Sequence, residues 1–402
     1  MLKDPLTEKK IIFGVTGCIA AYKSAFLVRD LIKRGAEVKV VMTPAATQFI
    51  TPLTLSSLSN NNVVVSIFPE STDGNTNMTT WHIEMAQWAD VILIAPSTIN
   101  TIAKIAYGFA DNALTTLVSA SRSPVIIAPA ADIDMYRNPI TQDNISKLES
   151  LGFYIVSAEE GELASGLSGI GRLAESNKII DAVELILTGY KKDLINEKIL
   201  ITAGPTYEDI DPVRFIGNRS SGKMGYALAK SAYLRGADVT LISGPSSETA
   251  YQEINYVPVR TASEMKKAVV REMKKNQILV MSAAVADFKP VRVSPGKIKK
   301  SSRLKEIKIS ETQDILTSFN REDKIVVGFA LETSNELANA KRKLKEKQLD
   351  MIVLNSLKDI RSGFEFETNK VMILKKNGKT IKLPLQSKFQ IANKILSELI
   401  TL

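Results

Sequence analysis

The chain states one phrase twice. Residues 10–15 (KIIFGV) read as a buried strand, apolar throughout after Lys10. A short turn follows, then apolar residues recur at helical spacing through Leu27, Val28, Leu31 and Ile32 up to Gly35, and LIKRGAEVKVVMTP leads into a second run. Near the middle the order returns: KILITA at 198–203, a polar loop, a helical pattern through Tyr226, Leu228, Ala229, Ala232 and Leu234 up to Gly236, then YLRGADVTLISGP. Short apolar runs without alternation are strands buried on both faces, and a strand, helix, strand order makes the joined strands parallel. A glycine past each helix supplies the left-handed residue that ends it. With 402 residues there is room for two or three domains. The repeat therefore predicts an α/β fold of two Rossmann-like three-layer domains with mostly parallel sheets, each holding its ligand at the carboxyl ends of its strands. The second domain adds a β-hairpin at 370–383, expected as a type I′ turn at Asn377-Gly378.

Charge narrows the partners. The chain has 52 basic and 43 acidic residues, a net charge of +9, and residues 289–308 hold eight basic residues against one acid, Glu306. That cluster calls for a polyanion. Phe288 is the one aromatic beside it, so no stacking platform for nucleic acid interleaves the charges, and a nucleoside triphosphate explains it better. The single cysteine, Cys18, rules out an internal disulfide and fits a reducing cytosol. The first residues, MLKDPLTEKK, are charged where a secretory leader needs apolar residues, and no apolar run reaches the ~18 residues of a membrane span. The expectation is a cytoplasmic protein with neither nucleic-acid nor membrane partners.

The loop at 204–225, GPTYEDIDPVRFIGNRSSGKMG, carries the most legible chemistry. It lies between a strand and a helix start, where backbone N–H groups and the helix dipole favour an anion, and Ser220, Ser221 and Lys223 add hydroxyls and a charge. By spacing alone it could also be a long connection capped by Ser220 or Ser221. The full string resembles the signature of the phosphopantothenate-cysteine ligases, the second activity of the bifunctional coenzyme A biosynthesis family. The resemblance implies that Asn218 handles an acyl-cytidylate, that Ser282, Ala283 and Asp287 of SAAVAD contact CTP, and that Lys297 of PGKIKK is catalytic. It adds Thr312, Gln313, Asp314 and Ile315 to the CTP site, puts Phe329 of GFALET against the base, and directs Lys343 and Lys347 to the triphosphate with Mg²⁺, for which it assigns no protein ligands. Lys343 and Lys347 are four apart and share a helix face, which without the resemblance reads equally as a solvated basic face.

The first half contains no full GxGxxG, so a nicotinamide dinucleotide is not favoured. Its segments TGCIAAYK, APSTINTIAK and PAADIDMYRNP resemble TGxIAAYK, APxxxNTIAK and PAMNxxM of the flavin-containing cysteine decarboxylases, with a flavodoxin-like fold. The resemblance implies FMN held by Thr16, Gly17, Ile19, Ala20, Thr43, Pro96, Thr98, Asn100 and Thr101; Asn100 and Thr101 could also be a helix N-cap pair. His82, the only histidine, lies in WHIEMAQWAD, similar to HIxLxxWAD, where it would be the base that starts decarboxylation. Two positions depart from the family. Asp132 stands where it has asparagine, and an ionised aspartate would repel a substrate carboxylate by about 4 kcal/mol at 4 Å and an effective dielectric near 20. Ser165 stands where it has the cysteine that supplies the last proton, and a hydroxyl is the poorer acid. Asp132 then serves in the family's role only protonated or reoriented.

Taken together, the resemblance implies an FMN-dependent 4′-phosphopantothenoylcysteine decarboxylase at 1–188, a linker at 189–196, and at 197–402 a ligase that joins 4′-phosphopantothenate to cysteine with CTP. A ligase with an impaired flavin half, or a flavin-binding regulatory module that partners another decarboxylase, stays open beside it. The implied assembly is a homo-oligomer, trimeric in the flavin half and dimeric in the ligase half.

Overall fold

The computed structural model describes residues 4–68, 80–299, 306–332, 335–356 and 366–402. Of the segments singled out above, Lys300 of PGKIKK and Thr333 of GFALET lie outside them. The chain divides into two compact units, Met1–Lys191 and Lys192–Leu402.

The first unit runs β1 (Lys10–Val15), α1 (Ser24–Lys33), β2 (Glu37–Met42), α2 (Pro52–Ser59), α3 (Trp81–Trp88), β3 (Val91–Ser97), α4 (Ile99–Ala106), α5 (Ala113–Ala120), β4 (Val125–Pro129), α6 (Ile133–Arg137), α7 (Pro139–Ser150), β5 (Tyr154–Ile155), β6 (Glu159–Glu162), β7 (Ser168–Arg172) and α8 (Ser176–Leu187). Five strands pair in parallel in the order β2-β1-β3-β4-β5. That is the doubly wound order in which strand succession reverses between β1 and β3, leaving a crevice at their carboxyl ends. Ile11, Ile12, Phe13 and Val15 of β1 are fully buried, as a central strand requires. β3 extends past the apolar run into Pro96 and Ser97, because after a register shift Ser97 still pairs with Pro129 of β4. β6 and β7 form a separate antiparallel hairpin.

The second unit runs β8 (Lys198–Ala203), β9 (Tyr207–Asp209), β10 (Phe215–Gly217), α9 (Lys223–Leu234), β11 (Asp238–Ser243), β12 (Asn255–Pro258), α10 (Ala262–Glu272), β13 (Ile278–Met281), β14 (Phe288–Pro290), β15 (Ile309–Glu311), β16 (Ile325–Glu332), α11 (Glu336–Glu346), β17 (Met351–Ser356), β18 (Thr368–Lys375), β19 (Thr380–Ser387) and α12 (Lys388–Leu399). Its main sheet has the order β12-β11-β8-β13-β16-β17-β18-β19, parallel up to β17 and antiparallel beyond. Leu200, Leu279, Val326 and Ile352 from four neighbouring strands meet Met265 and Val269 of α10 in one core. Leu194 is fully buried and its N–H donates to Arg235 O at 2.9 Å, while Asp193 pairs with the buried Arg235 guanidinium at 2.7 Å, so the start of this unit is fastened to the end of α9.

The terminal hairpin forms, but with a different turn. Gly378 has φ +88, Asn377 has no positive φ, and Gly378 N–H donates to Lys375 O. This is a type I turn followed by a left-handed glycine rather than type I′, which would need Asn377 left-handed too.

Candidate functional site

In the first unit, a cavity of about 1060 Å³ opens at the carboxyl ends of β1, β2, β3 and β4. Gly17, Ile19, Ala20, Thr43, Thr98, Asn100, Thr101 and Asp132 line it. Thr16 and Pro96 lie beneath: the buried Thr16 hydroxyl donates to Pro96 O at 2.8 Å and accepts from Thr98 N–H at 2.8 Å, which joins the turn after β1 to the turn after β3. The helix after β3 is capped by Thr98, whose Oγ1 accepts from Thr101 N–H, not by Asn100 or Thr101. Gly17 is required by closeness, since a Cβ there would sit 2.5 Å from Ala45 Cβ. Burial pushes the Cys18 thiol up, against the opposing backbone hydrogen bonds of Ala20 and Ala21, so this lining group stays a neutral thiol at physiological pH.

The lining fits a flavin mononucleotide. Ile99, Ala130, Ala131 and Leu173 offer apolar surface for a ring system, and the buried Thr43 Oγ1 meets no hydrogen-bond partner among the described residues, as a ligand-facing hydroxyl would. Sequence reasoning did not single out Lys23, Lys104 or Arg172, which line the same cavity. Lys104 pairs with Asp111 at 2.5 Å, and Arg172 with Glu175 at 2.6 Å and the buried Glu159 at 3.4 Å. Ala131 N–H donates to Gly171 O at 3.0 Å, so the base of the β6–β7 hairpin is fastened beside Asp132.

Two expected residues are not brought to this cavity within one chain. His82 is half-buried in the first turn of α3, its ring edge-on to Trp81, and is not among the lining residues. Ser165 is exposed at the tip of the β6–β7 hairpin; its neighbours Leu163 and Ala164 reach the lining and it does not.

In the second unit, a cavity of about 470 Å³ is lined by the signature loop from Asn218 to Gly225, by Ser282, Ala283 and Asp287, and by Phe329 and Lys343. A neighbouring cavity of about 400 Å³ shares Val285 and Asp287 with it and holds Thr312, Gln313, Asp314, Ile315 and Lys347. The signature loop is fixed by the strand-end segment after β13. Ala284 N–H donates to Gly204 O at 2.9 Å, Ala286 N–H to Thr206 Oγ1 at 2.9 Å, and the Asn218 amide to Val285 O at 2.7 Å. Gly222, with φ +82, precedes α9 and no side chain caps that helix, so neither serine serves as the cap that the bland reading required. A Cβ at Gly225 would lie 2.5 Å from Ala203 Cβ, which holds the first turn of α9 hard against β8.

The two triphosphate candidates are already ion-paired. Lys343 meets Glu332 at 2.8 Å, and Lys347 meets Asp314. Burial pushes the Glu332 carboxyl up, but the hydrogen bonds from Lys343 and Asn339 outweigh it and hold it below its usual range. Lys297 is exposed on the β14–β15 connection and lines neither cavity. Its neighbour is anchored, however: Ile298 N–H donates at 3.1 Å to Asp211, a buried carboxylate that also accepts from Val213 and Arg214 N–H. Burial raises the Asp211 carboxyl, and these backbone donors bring it below the ordinary value. The wall formed by Asn355, Asn369 and Lys388 was not foreseen, because nothing near them in sequence separates a cavity-facing polar residue from a surface one. Among the described residues no cluster of His, Cys, Asp or Glu could hold a metal ion, and no helix is long and apolar enough to cross a membrane.

Fold and cavities define a two-domain α/β protein with one cavity at the strand ends of each unit, the first fitted to a flavin mononucleotide. Residues 2–187 match the Flavoprotein family model and residues 194–402 that of the DNA/pantothenate metabolism flavoprotein C-terminal domain. The chain is 43% identical over 398 residues to the coenzyme A biosynthesis bifunctional protein of Borreliella burgdorferi, covering 97% of this chain and 98% of that one. It is 42% identical over 400 residues to the Haemophilus influenzae protein of the same name, covering 98% of each. A cysteine/cysteine sulfinic acid decarboxylase of an unknown prokaryotic organism is 46% identical over 361 residues, 88% of this chain and 99% of that one. The chain belongs to the coenzyme A biosynthesis bifunctional protein family.

Proposed function

We propose that this chain makes 4′-phosphopantetheine in two steps. The second unit joins 4′-phosphopantothenate to cysteine through an acyl-cytidylate formed from CTP, and the first unit decarboxylates the product with FMN. The observation that carries the reading is the convergence of Asn218, Ser282, Asp287, Phe329 and Lys343, from four separate segments, on one cavity at the ends of parallel strands.

A carboxylate is a poor acyl donor until its oxygen bears a good leaving group. All the partners are anionic, so the residues must offset repulsion before they do anything else. The N–H groups at the start of α9 and Lys223 suit the phosphates, and Mg²⁺, carried by the nucleotide, would add to them. Lys343 would exchange Glu332 for phosphate oxygen. Lys297, on a loop anchored through Asp211, would close over the bound nucleotide, and Asn218 contacts acyl oxygen and incoming amine without adding charge.

In the first unit, Thr43, Thr98, Gly17 and Asn100 would hold FMN, which supplies a two-electron oxidation and its reversal. His82 would take the first proton. Because it lies off the cavity of its own chain, we propose that a neighbouring copy completes the site, in keeping with a trimeric flavin half; a dimeric ligase half and a cytoplasmic location belong to the same proposal. A purified protein that is yellow, releases pyrophosphate from CTP only when 4′-phosphopantothenate is present, and releases CO₂ from 4′-phosphopantothenoylcysteine meets the proposal. A colourless protein, or one inert with CTP, defeats the corresponding half.

One observation favours a second reading of the flavin half. Asp132 lines the cavity with no capping hydrogen bond from its side chain. Free cysteine and cysteine sulfinic acid carry an α-ammonium that a carboxylate can pair with, whereas the cysteine nitrogen of 4′-phosphopantothenoylcysteine is an uncharged amide. A relative named for cysteine and cysteine sulfinic acid decarboxylation is consistent with that exchange. Asp132→Asn separates the readings: it should lower KM for 4′-phosphopantothenoylcysteine under the first, and abolish turnover of free cysteine under the second.

A further inference from the structure

We propose that Asp211 is a positioning residue for Lys297, and that the turn between β9 and β10 is the mount on which the PGKIKK loop is carried. The inference rests on the reading of Lys297 as a residue that acts in ligation. The connection from β14 to β15 spans 291–308, a length at which a chain roams unless something fastens it. Around Lys297 it is fastened on both sides, and to one turn. Ser294 N–H donates to Ile210 O at 2.9 Å, and Ile298 N–H donates to Asp211 Oδ2 at 3.1 Å. Between these anchors the Ser294 hydroxyl donates to Gly296 O at 2.7 Å, so Pro295, Gly296 and Lys297 form a short arch with a bond inside it. Ile298 is held at its carbonyl as well, where the Arg214 guanidinium donates at 3.3 Å.

A buried carboxylate is costly unless hydrogen bonds meet it, and the Asp211 side chain is fully buried. Its two oxygens divide the work. Oδ1 accepts from the N–H groups of Val213 and Arg214 at 2.8 and 2.9 Å, which closes its own turn. Oδ2 accepts from the Arg214 guanidinium at 3.3 Å and from Ile298 N–H, 87 residues further along the chain. Closing the turn needs one acceptor, which an uncharged asparagine or serine supplies. The second oxygen is what the distant loop uses.

The mount is stiff and it leads to the cavity. The Tyr207 and Phe215 rings stack at 3.8 Å across β9 and β10, and Ile210 N–H donates to Arg214 O at 2.8 Å. β10 then runs directly to Asn218, about 13 Å from Arg214 at ~3.3 Å per residue. One hairpin therefore carries both Lys297 and Asn218 at a set spacing. Asp211 itself lines neither cavity, so it acts through the lysine, and a catalytic charge misplaced by about 1 Å loses much of its effect.

Asp211→Asn isolates the tether. The amide keeps an acceptor for Val213 and Arg214 N–H and turns its NH₂ toward Ile298 N–H, so the turn still closes while the loop loses its anchor. In the full-length protein this change should lower kcat for ligation about tenfold, with KM for CTP within about twofold. Made in Lys297→Gln protein, it should cost less than about twofold more, because no ammonium is left to misplace. A residue that merely holds the fold would cost the same factor in both backgrounds. Hydrogen exchange supplies a readout independent of ligation: the Ile298 amide should exchange at least about tenfold faster in folded Asp211→Asn than in wild type. Should that variant not fold, Arg214→Met, at an exposed position, breaks the hold on Ile298 O and passes through the same cycle. Equal losses in the two backgrounds, or unchanged exchange at Ile298, would overturn the positioning role. Faster exchange in a protein whose Lys297→Gln variant ligates at the wild-type rate would instead overturn the reading of Lys297 and leave the mount standing.

Discussion

The two units begin alike and build their cavities differently. In the first, the lining comes chiefly from three short turns, those after β1, β3 and β4, and each is a contiguous motif. In the second, the cavity draws on the signature loop, the segment after β13, β16, α11, and then β17, β18 and α12. The change of direction after β17 makes this possible. Continuing parallel pairing would have sent the chain across a face of the sheet, whereas the antiparallel β17–β18–β19 run brings Asn369 and the start of α12 back to the strand ends that line the cavity. A site made of local turns is readable in sequence, although His82 and Ser165, both expected in it, do not line its cavity. A cavity closed by a terminal hairpin draws its lining from many segments of one unit and is half hidden in sequence.

The sharpest way to separate the units is to disable one and read the other. Lys297→Gln should reduce ligation by about a hundredfold or more, as removal of a charge that meets the transition state does, while the flavin spectrum is unchanged. Ligation at the wild-type rate would remove the catalytic role of the PGKIKK loop. Gly17→Ala is the reciprocal change. Its Cβ would fall 2.5 Å from Ala45 Cβ, so the turns after β1 and β2 must separate. We expect at least about tenfold weaker retention of FMN, scored by absorbance after gel filtration, with CTP-dependent pyrophosphate release intact.

A finer break lies inside the ligase step. On the proposed function, Asn218→Asp would put a negative charge where an amine approaches an acyl-cytidylate, and it would lose the donor that now meets Val285 O. Pyrophosphate release should slow by less than about threefold and amide formation by about tenfold. Equal slowing of both partial reactions would show that Asn218 positions the loop and nothing more.

What could be read in advance follows from locality. The ranges of β1 and β8 coincide with the runs KIIFGV and KILITA, which are almost wholly apolar after an opening lysine, because a strand buried on both faces has little other composition to choose. The threonines that line the first cavity, Thr43, Thr98 and Thr101, were legible only through the motifs that resemble those of the flavin-containing cysteine decarboxylases. The alternative of Asn100 and Thr101 as a cap pair does not hold, since Thr98, Asn100 and Thr101 are all good caps and only the path of the chain out of β3 selects Thr98. The hairpin turn failed in the same way, with the strands' register adding Lys376 to the loop. Lys388 was the least legible of all. A lysine before an amphipathic helix has the composition of a solvated first turn, and only the packing of α12 on α9 and β18 turns it inward.

That inward turn has a stability signature, and it is the smallest effect we expect. Lys388 titrates near 8 in the fold, against 10.5 for an ordinary lysine, chiefly through burial. Below the folded value both the folded and the unfolded chain carry the proton, and the fold bears the whole penalty of a buried ammonium. Between about 8 and 10.5 the unfolded chain binds a proton that the folded chain has lost, so this group favours folding increasingly as pH rises through that window, and the benefit is lost again as pH falls through 8. Other groups titrate there too, so the quantity to follow is the difference in Tm between wild type and Lys388→Met, without nucleotide. Loss of the hydrogen bond to Phe366 O shifts that difference by a constant, whereas the lysine's proton gives it a slope. Wild type should gain about 2–5 °C on the variant between pH 8 and 10. A difference that stays level across the window would mean that the ammonium is as well solvated as any surface lysine, and the buried wall opposite Lys343 would then have to be redrawn.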